Sequence, residues 1–118
     1  MKNLFIVLAL AAPIAVAAKP SEQSYTDRWC TARGGETKVV LADRTRPDCV
    51  TDTHAIEVDF SRKFYEAIGQ SLWYSFQTNK RAGILLIIDP ADKNRYLYRL
   101  NSTIDNYDLP IDVWTVTQ

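Results

Sequence analysis

The sequence predicts an α/β fold, a mixed central sheet with flanking helices on both faces, in the order αβββαβαβ. Three observations predict it. Residues 54–60 (HAIEVDF) alternate apolar with polar side chains at period two, as a strand with one greasy face does. Residues 83–88 (GILLII) are an unbroken apolar run of strand length, which suits a central strand covered on both faces. Residues 61–79 and 91–107 repeat apolar side chains at three- and four-residue spacing, the pattern of an amphipathic helix.

The chain has 118 residues, and residues 1–18 have the layout of an export signal. Met1-Lys2-Asn3 is a short positive start, Leu4 to Ala12 is apolar, and Ala15-Val16-Ala17-Ala18 supplies the small residues of a cleavage site. The apolar run is too short for a bilayer, which needs about 20 such residues. This reads as a cleavable signal peptide, leaving residues 19–118 as a single domain. No later stretch is long and apolar enough to cross a membrane, so no membrane contact is expected after signal removal. The expected location is periplasmic or secreted.

Within the domain, residues 19–24 (KPSEQS) read as a polar, loose lead-in. Tyr25, Trp29 and Cys30 stand at helical spacing, and Gly34-Gly35 stops that helix. Residues 37–42 (TKVVLA) read as a first strand, 43–47 (DRTRP) as a turn, and 48–51 as a short second strand. With residues 54–60 these strands can form an antiparallel meander. Ser61 suits the N-cap of the next helix. There Phe64, Ile68, Leu72 and Phe76 make a core stripe, and Thr78-Asn79 ends it. Asp89-Pro90 breaks the GILLII strand. The following helix turns Tyr96, Leu97, Leu100, Ile104 and Tyr107 inward, and residues 111–116 (IDVWTV) are the last strand. Both strand–helix–strand units should cross over right-handed.

Composition excludes disorder, a collagen-like repeat and a disulfide-dense miniprotein. Of 14 basic and 14 acidic residues only Lys2 lies in the leader, so residues 19–118 carry 13 against 14. Such neutrality excludes a polybasic nucleic-acid coat but not a nucleic-acid enzyme with local basic residues. Cys30 and Cys49 are the two cysteines. In an exported chain they read as a disulfide, the alternative being two buried thiols. With the single His54 they lack zinc-ligand spacing. His54 has no partner nearby in sequence and reads as a surface or satisfied histidine.

The residues with chemical potential are Asp48, then Glu57-Val58-Asp59, then Gln70 and Tyr74. Glu57 and Asp59, two apart on one strand, project from the same face. A hairpin between the second and third strands brings Asp48 to Glu57. Converging carboxylates make an oxygen-rich site for a hard cation such as Mg²⁺. A cation so held polarises phosphoryl oxygens and acidifies water, as phosphodiester hydrolysis requires. Lys63, Ala67, Gln70 and Tyr74 form one helical stripe that should flank this site.

Pro47-Asp48, Glu57-Val58-Asp59 and Gln70-x-x-x-Tyr74, in this order of elements, resemble the PD-(D/E)XK nuclease superfamily, and within it the exonuclease and Holliday-junction-resolvase-like branches. The resemblance covers roughly residues 30–116. It implies a restriction-endonuclease-like fold, DNA as substrate, and Mg²⁺ or Mn²⁺ as cofactor. It implies Asp48 and Glu57 as metal ligands, Gln70 and Tyr74 as accessory catalytic residues, and Glu36 as an upstream acidic ligand. It admits a homodimer without identifying an interface. One position departs: Asp59 stands where the family has Lys. A lysine there orients water and stabilises developing negative charge. Lys63 and Lys38 are candidates to replace it, Asp59 could hold a second ion, or the site could be dead. The rival functions are a catalytically inactive module of this fold, binding nucleic acid or a protein partner, and an unrelated α/β envelope protein. The basic pairs Arg44/Arg46, Arg62/Lys63 and Lys80/Arg81 are the candidate phosphate contacts.

Overall fold

A four-stranded mixed sheet organises the chain, in the spatial order β1 (Cys49–Val50), β2 (His54–Phe60), β3 (Arg81–Ile88), β4 (Ile111–Thr117). Three helices flank it: α1 (Glu22–Ala32), α2 (Phe64–Thr78) and α3 (Arg95–Tyr107). The structure is a computed structural model and describes residues 2–14 and 18–118. β1 pairs antiparallel with β2, while β2, β3 and β4 run parallel, joined through α2 and α3. The alternation in β2 and the greasy run in β3 thus have the expected outcome. β3 is central, and from Ala82 to Ile88 its residues are buried.

The sheet separates two cores. On one face Ile56, Val58, Leu85 and Ile87 meet Tyr25, Trp29 and Cys30 of α1. On the other, Ala82, Ile84, Leu86 and Ile88 meet Ala67 of α2 and Leu100 of α3. Cys30 and Cys49 form a disulfide with a Cα–Cα separation of 5.7 Å. It ties α1 to β1 and closes a loop worth on the order of 3 kcal/mol in chain entropy.

Several expectations need correction. Residues 37–42 are not a strand, so the order is αββαβαβ. Glu36 alone makes an isolated bridge, to Val50. The chain then turns, with Leu41 N–H donating to Thr45 O and Arg44 N–H to Leu41 O. β1 has only two residues to offer a partner, and Pro47 before it has no N–H. The lead-in is not loose: Ser21 Oγ accepts from Ser24 N–H at 3.1 Å and caps α1, which starts at Glu22. Ser61 does not cap α2. It is buried and opens a 3₁₀ turn, Ser61–Lys63, ahead of the helix. α3 starts at Arg95 because Lys93 and Asn94, at φ 51° and 61°, are left-handed and interrupt the coil after the turn Pro90–Asp92. Phe76 and Tyr107 were expected inward but are 78% and 70% exposed, since each stripe drifts off the core face at its helix's last turn.

Residues 2–14 are exposed and form neither helix nor strand. The expected cleavage residues Ala15-Val16-Ala17 lie outside the described residues. Among those described, no helix is long and apolar enough to cross a membrane.

Candidate acidic site at the sheet edge

The β1–β2 register pairs Cys49 with Ile56, so Asp48 comes opposite Glu57. β1 does not continue upstream, and the exposed edge of β2 needs an acceptor there. Asp48 supplies it with its side chain: Oδ2 accepts from Val58 N–H at 2.8 Å. The predicted encounter of Asp48 with Glu57 therefore occurs. The two carboxyl groups act on each other, Asp48 raising Glu57 and Glu57 holding Asp48 down.

Glu57 and Asp59 lie on the α2 face of β2, level with Ile84 and Leu86. Both are buried. Burial pushes Glu57 far above the usual carboxylate range, and the charges of Asp48 and Asp59 push it further. Burial also raises Asp48, against the hydrogen bonds from Val58 and Glu57 that lower it. Asp59 rises to about 7, first through burial and then through Glu22 and Asp48, while Lys63 opposes the rise. Asp59 Oδ2 is buried with no hydrogen-bond partner. Tyr74 is buried on α2, and burial with the neighbouring Glu57 and Asp48 raises it to about 12. Its hydroxyl keeps its proton at neutral pH and is available as a donor.

The structure thus brings Asp48, Glu57, Asp59, Tyr74 and Lys63 into one electrostatic neighbourhood. Gln70 is exposed one turn before Tyr74, and its side chain makes no hydrogen bond among the described residues. Glu36 is exposed, makes its backbone bridge to Val50, and likewise has no side-chain hydrogen bond. Lys38 is exposed on the irregular segment that replaces the expected strand.

Sequence reasoning missed Glu22. Burial raises its pKa, then Asp48 does, while Lys63 opposes them, so it belongs to the same neighbourhood. The available signal was Ser21-Glu22 one turn ahead of Tyr25, a cap followed by an acid where a helix begins. Among the described residues no group of three or more His, Cys, Asp or Glu side chains is arranged to hold a metal ion. The cluster is an adjacent carboxyl pair with two further carboxylates around it, not a preformed three-ligand cage.

His54 at the other end of β2 is satisfied by a partner 58 residues away: Nε2 lies 2.7 Å from Asp112 Oδ2. Arg81 also pairs with Asp112, and Lys80 Nζ donates to the carbonyls of Thr51 and Asp52. Lys80 and Arg81 are therefore engaged within the fold. No protein-family model, curated protein or solved structure matches the chain.

Proposed function

We infer that the protein is an exported, metal-dependent nuclease-like hydrolase of DNA phosphodiester bonds, with a restriction-endonuclease-like fold and its site at Asp48, Glu57 and Asp59. One observation carries this reading: three carboxylates are gathered at one sheet edge with a single nearby ammonium, and the Asp59 Oδ2 atom is buried without a partner. Buried charges are otherwise paired or coordinate a metal. The donor set is all oxygen, which fits a hard divalent cation. Mg²⁺ is commonly held by one or two carboxylates, with waters and substrate phosphates supplying the rest. The pair Asp48–Glu57 therefore suffices as protein ligands. When bound, such an ion acidifies water and polarises a phosphoryl oxygen.

The chain's own residues have separable roles. Asp48 and Glu57 would hold the cation, with Glu57 giving up its proton to do so. Lys63 brings positive charge to the side of Asp59, supplying from the start of the helix what the motif position lacks. The Tyr74 hydroxyl donates a hydrogen bond to a phosphate oxygen. The short leader and the disulfide agree with an oxidising compartment outside the cytoplasm. The second reading, an inactive module binding nucleic acid or a protein partner, is favoured by Asp59 in place of the motif lysine.

The test is cleavage of single-stranded, duplex and branched DNA by residues 19–118, with Mg²⁺, Mn²⁺ or chelator. Metal-dependent cleavage that disappears in Asp48→Asn and Glu57→Gln supports the enzyme. Absence of cleavage with either metal on every substrate overturns it and leaves the binding module.

A further inference from the structure

A second constellation lies on the α1 face, at the N-terminal ends of the parallel strands. Arg33 ends α1, and its guanidinium carbon sits 4.2 Å from the ring centroid of Trp29 and 5.1 Å from that of Trp114. The two indoles are themselves in contact, 5.3 Å between centroids. Arg33 has no ion-pair or side-chain hydrogen-bond partner among the described residues, so its five N–H donors are uncommitted. The guanidinium is attracted to the two ring faces without using those donors.

Arg33 lines a cavity of about 290 Å³ together with Thr51, Thr53, His54 and both tryptophans. The polar wall is built. Thr53 Oγ1 is 2.7 Å from His54 Nδ1, and His54 Nε2 is held by Asp112. Lys80 fixes the turn bearing Thr51 by donating to its carbonyl at 2.6 Å. Two carboxylates are close, Asp52 in the wall and Asp112 behind His54. Asp112 is matched by Arg81, whose hydrogen bonds and charge hold its carboxyl below the usual range. In the lining itself Arg33 is the cation and Asp52 the carboxylate, each without a side-chain partner among the described residues, while the charge of Asp112 behind His54 is matched by Arg81.

We propose that this cavity is a phosphate-binding site, in which the Arg33 fork takes two oxygens of a phosphate monoester or diester and the Thr51 hydroxyl, whose oxygen accepts from the Thr53 and His54 backbone N–H groups, donates to a third. A guanidinium presents paired N–H donors that match phosphate oxygens, and the Thr51 hydroxyl adds a further donor beside it. Ile56 lines the cavity while its neighbour Glu57 points to the opposite face of β2, so the site is separate from the acidic edge. It stands whether or not the carboxylates hydrolyse anything.

The experiment is a titration of the Trp29 and Trp114 fluorescence in residues 19–118 carrying Trp73→Phe. The probes are inorganic phosphate and a short oligothymidylate, with chloride at matched ionic strength as the control. Saturable binding of phosphate is expected, weakened about tenfold or more in Arg33→Gln, with Arg33→Lys intermediate, because one or two charge-assisted hydrogen bonds are lost. Circular dichroism of each variant keeps loss of fold distinct from loss of binding. Tighter binding of the oligonucleotide assigns the phosphate to a nucleic-acid strand, and equal binding assigns it to a free phosphate or monoester. Asp48→Asn should leave the affinity for inorganic phosphate unchanged. No saturable response to either probe, or unchanged affinity in a folded Arg33→Gln protein, overturns the site.

Discussion

Asp48 stands opposite Glu57 across the β1–β2 edge, and its carboxylate accepts from the backbone of Val58 at 2.8 Å. On the proposed reading these two carboxyl groups would hold the divalent cation. Mg²⁺ or Mn²⁺ should therefore raise the midpoint of thermal unfolding, and chelator should reverse the rise. At a metal concentration of about 100 times Kd the gain is about 2.7 kcal/mol. Asp48→Asn should abolish the metal response while keeping the fold, since Asn retains an acceptor for Val58 N–H. A metal-induced shift as large in Asp48→Asn as in the parent would count against the pair as ligands.

Asp59 sets a pH dependence in the metal-free protein. Its pKa is 3.8 when unperturbed and about 7 in the fold. Between those values the folded state binds more protons than the unfolded state, so stability falls as pH rises. The contribution is fully present below 3.8 and lost by about pH 7. Asp59→Asn removes this slope. Thermal unfolding in chelator should show the variant gaining on the parent from pH 4 to pH 7, with no further gain above. A constant difference across that range would exclude the assignment.

Lys63 and Lys38 were both candidates for the missing motif lysine, and their positions separate them. Lys63 lowers the pKa values of Asp59 and Glu22, whereas Lys38 is exposed on the irregular segment before β1. If DNA is cleaved, Lys63→Gln should slow turnover by about 10²–10³-fold, the usual cost of one stabilising donor. Lys38→Gln should leave the rate as it was. The reverse ranking in a single-turnover assay would assign the charge to Lys38.

Gly35 touches the disulfide directly. A Cβ built there would lie 2.6 Å from Cys30 Sγ and 2.7 Å from Cys49 Sγ. Cross-linked sulfurs cannot swing aside as a flexible chain end does. Gly35→Ala should cost about 1–3 kcal/mol through overpacking. Gly69→Ala, with nothing near its added methyl, gains helix propensity on α2 and should cost nothing. Urea denaturation of both variants checks the contrast.

The β2 alternation was legible because side-chain parity in a strand is fixed by geometry, and with it came the common face of Glu57 and Asp59. The Asp48–Glu57 encounter was legible because a short link leaves two strands little choice but to pair. The supposed strand at residues 37–42 shows the limit. TKVVLA has the composition of a strand, yet pairing depends on a free edge, and no local pattern reveals that β1 is two residues long. Nor could any local signal join His54 to Asp112, which meet only because β3 places β2 and β4 on its two sides. The exposed Gln70 illustrates a different loss. Its spacing to Tyr74 was correct, but spacing fixes a stripe on the helix and not how far that stripe turns toward the sheet.

Cys49 follows Asp48 directly in the chain. The bridge that fastens Cys49 to α1 thus also fastens the carboxylate beside β2, where a two-residue pairing alone is slight anchorage. Where thiols are kept reduced the acidic edge should therefore be held less firmly than in an oxidising compartment, which ties the order of the site to the redox state of its surroundings.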